Sequence, residues 1–216
     1  MSESMTSTER TAGAVFVISG PSGSGKGTVI ELLRELYPNA GLSVSATSRA
    51  PREGEKEGVN YYYKTDAEFE QFIANGEVLE YTVYNGHYYG TLKSEAERIM
   101  AEGRDLILEI EVDGAGQIKK LLGSRAATIM LIAPSGEEQE RRLRGRGTED
   151  EETIAARVRR AREEIREAPK YDYVVVNETD HIKECAEDIL AIIKAEHMRS
   201  ERMMTYIHDY FDDDEI

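Results

Sequence analysis

The chain has 216 residues, 40% of them hydrophobic, enough for one well-buried core, and no apolar run approaches the roughly 20 residues that cross a bilayer. A formal net charge of −15 excludes a general nucleic-acid binder, which needs a cationic footprint. The single cysteine, Cys185, excludes an intramolecular disulfide and a cysteine-based metal cluster, so a reduced, cytoplasmic setting is the default.

Residues 1–13 are polar and predict a flexible tail. The apolar run Ala14–Ser19 predicts a buried strand, the glycine-rich stretch Gly20–Gly27 a loop, and the pattern through Leu36 a helix closed by Tyr37 and Pro38. From Leu42 to Thr91 the chain offers short alternating segments rich in tyrosine, interrupted by one helix over Asp66–Asn75 with Gly76 as its stop. This predicts a small mixed β insertion, with Gly86 and Gly90 flanking a hairpin. Further strands are predicted at Leu106–Val112, Ala127–Ala133 and Tyr173–Asn177. Helices are predicted at Ser94–Glu102, Ala115–Leu122, Glu137–Leu143, Thr153–Ala168 and Ile182–His197. Near-continuous apolar strands alternating with helices give an α/β fold with a parallel sheet covered on both faces. Residues 201–216 form an acidic tail.

Gly20-Pro21-Ser22-Gly23-Ser24-Gly25-Lys26 fits G-x-x-x-x-G-K and stands between a predicted strand and helix. The glycines let backbone N–H groups converge on phosphate oxygens, the helix adds its positive end, and Lys26 reaches the outer phosphates. Gly27 takes the place where Ser or Thr usually binds Mg²⁺, with Thr28 one residue later. The missing hydroxyl argues against a switch GTPase or motor ATPase. Downstream, Ser43–Glu55 reads as a strand ending in Arg49 and Arg52 around a proline turn, a bidentate clamp for a phosphate dianion.

With Gly86-His87-Tyr88-Tyr89-Gly90-Thr91, Gly145-Arg146-Gly147-Thr148 and Val175-Val176-Asn177 in the same order, the sequence resembles guanylate kinase from about Val15 to Ile193. The resemblance implies a P-loop NTPase-type sheet, a GMP-binding insertion over 42–91, a helical lid over 136–168 and a core over 14–41, 92–135 and 169–199. It implies phosphoryl transfer from ATP to GMP, with dGMP a further acceptor, and Mg²⁺ bound mainly through ATP phosphates and water. The implied ATP-binding residues are Gly20 to Thr28 and Asn177, although a turn-capping asparagine is the alternative for Asn177. GMP phosphate falls to Arg49, Arg52, Tyr61 and Tyr89, and the base to Ser45, Glu80, Thr91 and Glu111. Guanine N1–H and N2–H₂ are adjacent donors that one carboxylate can accept, and adenine lacks that pair. Without the resemblance, Glu80 reads as a solvated carboxylate on a strand edge.

The chain departs from the common family pattern at Glu109, Glu111 and Asp113, where Asp, Asp and Gln are usual. Asp113 either faces the nucleotide or caps the next helix. In the arginine-rich stretch, Arg142, Arg146 and Arg157 match family residues on the transferring phosphates. With Lys26 and Arg49 they make the expected catalytic set. Thr148 and Glu151 predict a capping box opening the second lid helix, and Arg159, Arg160, Arg162 and Arg166 are expected to pair with glutamates of that helix. The four histidines show no metal-ligand spacing, and neither a nucleic-acid nor a membrane partner is expected. Monomer and homo-oligomer both stay open. The alternatives are another P-loop kinase and a guanylate-kinase-like binding module; the intact loop and arginines weigh against the module.

Overall fold

A computed structural model describes residues 13–145 and 150–204. In chain order its first half holds β1 (Val15–Ser19), α1 (Lys26–Leu36), β2 (Ala40–Leu42), β3 (Ala46–Thr47), β4 (Tyr62–Tyr63), α2 (Asp66–Ala74), β5 (Val78–Tyr84) and β6 (His87–Leu92). The second half holds α3 (Lys93–Ala101), β7 (Asp105–Glu109), α4 (Val112–Leu122), β8 (Ala126–Ile132), α5 (Gly136–Arg144), α6 (Glu151–Ile165), β9 (Tyr173–Val176) and α7 (Ile182–His197).

Five strands form a parallel sheet in the order β2-β7-β1-β8-β9. Side chains alternate across it, as the strand period requires. Phe16 and Ile18 pack with Val29, Leu33, Ile189 and Ile193 of α1 and α7, whereas Val15 and Val17 pack with Ile99 and Ile118 of α3 and α4. Helices on both faces explain why these strands are apolar throughout. At the starting edge of the sheet the buried Asp105 accepts from Ala14 N at 2.8 Å and Tyr37 Oη at 2.8 Å, and lies 2.7 Å from His197 Nε2.

A second, mixed sheet follows the order β4-β3-β6-β5. Phe69 of α2 seals it, packed with Ala46 and Leu92. The capping box of α2 is complete, Thr65 accepting from Glu68 N while the Glu68 carboxylate accepts from Thr65 N.

Several predicted boundaries shift. The segment after residue 40 is two strands in different sheets, because β2 ends at Leu42 and β3 begins at Ala46. The hairpin turn is Asn85-Gly86, both at positive φ, and Gly90 lies inside β6. There a Cβ would stand 2.4 Å from Glu80 O on the paired strand. The strand predicted to Val112 stops at Glu109, since Val112 already belongs to α4 and is buried as a helix residue. The α6 cap is Asp150, whose carboxylate accepts from Thr153 N at 2.8 Å, so Glu151 is the first helical residue. Thr148 lies outside the described residues. α6 ends at Ile165, ahead of a 3₁₀ turn over Ala168–Lys170 that holds Pro169.

Candidate functional site

The loop between β1 and α1 emerges at the carboxyl edge of the parallel sheet, where β1 lies between β7 and β8. Gly20 has φ 148° and Gly25 φ 89°. A Cβ on Gly20 would meet Leu131 O at 2.1 Å, and one on Gly25 would meet Asn177 Nδ2 at 2.4 Å, so both positions require glycine. The loop carbonyls are tied back from behind. Asn177 Nδ2 donates to Ser24 O at 2.9 Å, Gln139 Nε2 donates to Ser22 O at 2.8 Å, and Arg142 Nη1 reaches Ser24 O at 3.4 Å. With Ser22 O and Ser24 O held there, the loop is braced and its other side stays open, while Ser24 N donates within the loop to Pro21 O at 3.2 Å.

On that side lies a cavity of about 400 Å³ lined by residues 21–28 with Arg157, Arg160 and Glu164. A second cavity of about 420 Å³ lies between the two sheets. Lys26, Tyr84, Glu109 and Glu111 line both. The Lys26 ammonium donates to Gly20 O.

The second cavity collects most of the residues predicted for an acceptor. Ser45, Arg49, Arg52, Tyr61, Glu80, Tyr89 and Glu111 line it. Arg49 is fixed before any ligand arrives. Its Nη2 donates to both oxygens of Glu55 at 2.9 and 3.0 Å, and its guanidinium stands 5.5 Å from the Tyr61 ring centroid. Glu55 also accepts from Arg52 N at 2.7 Å and Tyr63 Oη at 2.9 Å. Arg49 chiefly, then the Arg52 N–H, holds the Glu55 carboxyl down at about 2.

Glu80 is not the solvated edge residue its position suggests, being 3% exposed. Its Oε1 accepts from Thr91 Oγ1 at 2.9 Å. Burial first, with the charge of Glu111 adding, pushes its carboxyl up to about 7 against the hydrogen bonds from Thr91. Thr91 is fully buried and does not line the cavity; its hydroxyl donates to Glu80, which does. Burial also raises the Glu109 carboxyl, against the pull of Lys26.

Of the lid arginines, Arg157 lines the loop cavity and donates from Nη1 to Ser22 Oγ at 3.2 Å. Arg142 faces away from both cavities, its donors spent on Glu138, Ser24 O and Asn177 O, because it sits behind the loop. Arg146 lies outside the described residues. Asn177, 4% exposed, braces the loop from the same side as Arg142 and lines neither cavity. Arg160 pairs with Glu164 at 2.7 Å as expected, yet it also lies 3.6 Å from Glu111 and 5.4 Å from the Tyr84 ring centroid, inside the loop cavity. Its place one turn beyond Arg157 was the available signal. Asp113 sits exposed in the first turn of α4, lining neither cavity, where its charge suits the helix end.

The guanylate kinase family model matches residues 12–196. The chain belongs to the guanylate kinase family. A guanylate kinase of Lactococcus lactis is 46% identical over 200 residues, covering 92% of this chain and 96% of the relative. One from Halalkalibacterium halodurans is 44% identical, covering 93% and 97%. The crystal structure of a guanylate kinase from Anaplasma phagocytophilum superposes with a TM-score of 0.71 at 31% identity, covering 92% of this chain and 95% of that one. No helix among the described residues is long and apolar enough to cross a membrane.

Proposed function

We propose that this protein transfers the terminal phosphoryl group of ATP to GMP, yielding ADP and GDP, with dGMP a further acceptor. The observation that carries this reading is the buried Glu80 carboxylate in a cavity that also holds Arg49 and Arg52 and shares Lys26 with the phosphate loop. In this reading Glu80 accepts the N1–H and N2–H₂ of guanine. Binding therefore takes its ionised form, and adenine would leave a desolvated carboxylate unpaired.

Arg49, oriented by Glu55, and Arg52 hold the acceptor phosphate together with Tyr61 and Tyr89. The loop amides and Arg157 hold the donor phosphates. Lys26 stands between the two anions, lowers their repulsion and directs them in line. The acceptor phosphate is already an anionic nucleophile, so no general base is required. A Mg²⁺ ion fits the donor cavity, where Glu109 and Glu111 would meet its water shell, and it would neutralise charge on the ATP phosphates. α5 and α6 act as the lid, and the cytoplasm is the proposed setting for a chain with one buried cysteine.

The test is ADP formation from MgATP with GMP, dGMP, AMP, CMP, UMP and dTMP supplied separately. Turnover confined to the guanine nucleotides is expected. Preference for another base would overturn the assignment of Glu80, and no turnover with any of them would overturn the reaction.

A further inference from the structure

α4 carries two glycines, Gly114 and Gly116, neither at positive φ, in opposite surroundings. Gly116 is exposed, and a Cβ there would meet nothing within 4 Å. Gly114 is buried, and a Cβ there would lie 2.4 Å from Glu80 Oε2 and 3.1 Å from Glu80 Cδ. Glycine in a helix interior is less stable than alanine. At position 114 the reason for it is therefore space, and the Glu80 carboxylate fills that space.

Neither partner is free to step back. Glu80 Oε1 is held by Thr91 Oγ1 at 2.9 Å. The register between β5 and β6 shifts between Val78 and Glu80, and Leu79 packs into the core cluster beside α4. One turn beyond Gly114, Gln117 closes the outer edge of β5 as a neighbouring strand would. Its Nε2 donates to Tyr81 O at 2.7 Å, and its Oε1 accepts from Tyr81 N at 3.2 Å. Helix and strand are thus fastened to each other at the residue next to Glu80.

We infer that Gly114 is a positioning residue for base recognition, its missing side chain forming the notch that seats the Glu80 carboxylate at the depth where guanine meets it. The inference rests on the proposed reading of Glu80 as the residue that accepts the guanine donors. An added methyl displaces the carboxylate, and a misplacement on the order of 1 Å is enough to weaken a directed contact by about tenfold or more.

The experiment measures kcat and KM for GMP and for ATP, and the preference for GMP over IMP, which lacks the N2 amino group. The proteins are the wild type, Gly114→Ala, Gly116→Ala, Glu80→Gln, and the double variant Gly114→Ala with Glu80→Asp. Gly114→Ala is expected to raise KM for GMP about tenfold, leave KM for ATP within about twofold, and reduce the GMP preference. Gly116→Ala, the same helix gain without the contact, keeps wild-type kinetics and melts higher. Shortening the acid in the double variant recovers part of the GMP affinity that the alanine removes, which a merely structural glycine does not predict.

The inference is overturned if Gly114→Ala keeps wild-type KM for GMP, or loses ATP and GMP affinity alike with no recovery in the double variant. Unchanged GMP kinetics in Glu80→Gln would overturn the underlying reading instead, and the inference with it. Should Gly114→Ala alone fail to fold, a folded and GMP-active double variant supports the notch, and an unfolded one overturns it.

Discussion

Glu80→Gln separates what this residue does for binding from what it does to stability. The wild-type carboxyl titrates near about 7 in the folded chain against an ordinary 4.5, chiefly because burial disfavours the charge. Below pH 4.5 both folded and unfolded chains hold the proton, and the difference vanishes. Between 4.5 and about 7 the folded chain binds more protons, so stability falls as pH rises. Above 7 the penalty is complete, about 3 kcal/mol at roughly 1.4 kcal/mol for each pH unit between the two values. Glutamine keeps the shape and an acceptor for Thr91 while removing the charge. In urea unfolding at pH 8.5 the variant should exceed the wild type by up to ~3 kcal/mol, a melting shift of roughly 6–12 °C, and the two should converge at pH 4.5. The amide N–H₂ facing Gly114 makes this a ceiling. Binding runs the other way: the variant should lose about 10–100-fold in KM for GMP. Wild-type KM for GMP should rise up to about tenfold per unit as pH drops below 7, and that of the variant should rise only by what protonation of the GMP phosphate, at about pH 6, contributes. A stability difference independent of pH, or a variant less stable at pH 8.5, would refute the reasoning.

Lys26→Met should lower kcat by at least about 10²-fold with the melting temperature unchanged; retained turnover would remove Lys26 from its place between the phosphates. Arg49→Lys loses the planar fork that Glu55 orients, so KM for GMP should rise about tenfold while KM for ATP holds; equal effects on both substrates would contradict a dedicated acceptor clamp. Asn177→Asp puts an oxygen against Ser24 O in place of a donor, so urea unfolding should show a loss of about 1–3 kcal/mol and KM for ATP should rise. An unaffected KM for ATP would mean that the loop keeps its shape without this brace.

The phosphate loop was legible because its parts are consecutive: spacing alone places strand, glycines and lysine. The parallel sheet was legible for a similar reason, since double burial leaves unbroken apolar runs such as Phe16 to Ile18. The surroundings of Glu80 were not. Its burial depends on α4, a distant segment, and no periodicity near residue 80 announces a glycine at 114. Arg142 shows the converse limit, since its identity suited a phosphate while its orientation depended on Glu138 and on the carbonyl of Asn177. In the sequence an i,i+4 glutamate already accounts for Arg160, and only the folded chain brings Tyr84 and Glu111 to its other side.

The junction at Asp105 bears on how this molecule can deform. One carboxylate gathers the entry to β1, the residue after α1 and the last turn of α7, all at the edge of the sheet remote from the phosphate loop. Three chain segments meeting at one buried carboxyl group make that pole an anchor, where sliding of one layer over another would break its hydrogen bonds and leave buried polar groups unpaired. Strain applied by a ligand at the opposite pole therefore has little outlet through the central sheet. In the proposed reaction, movement on binding is therefore expected in the second sheet and in α5 and α6, with the central sheet as the fixed jaw.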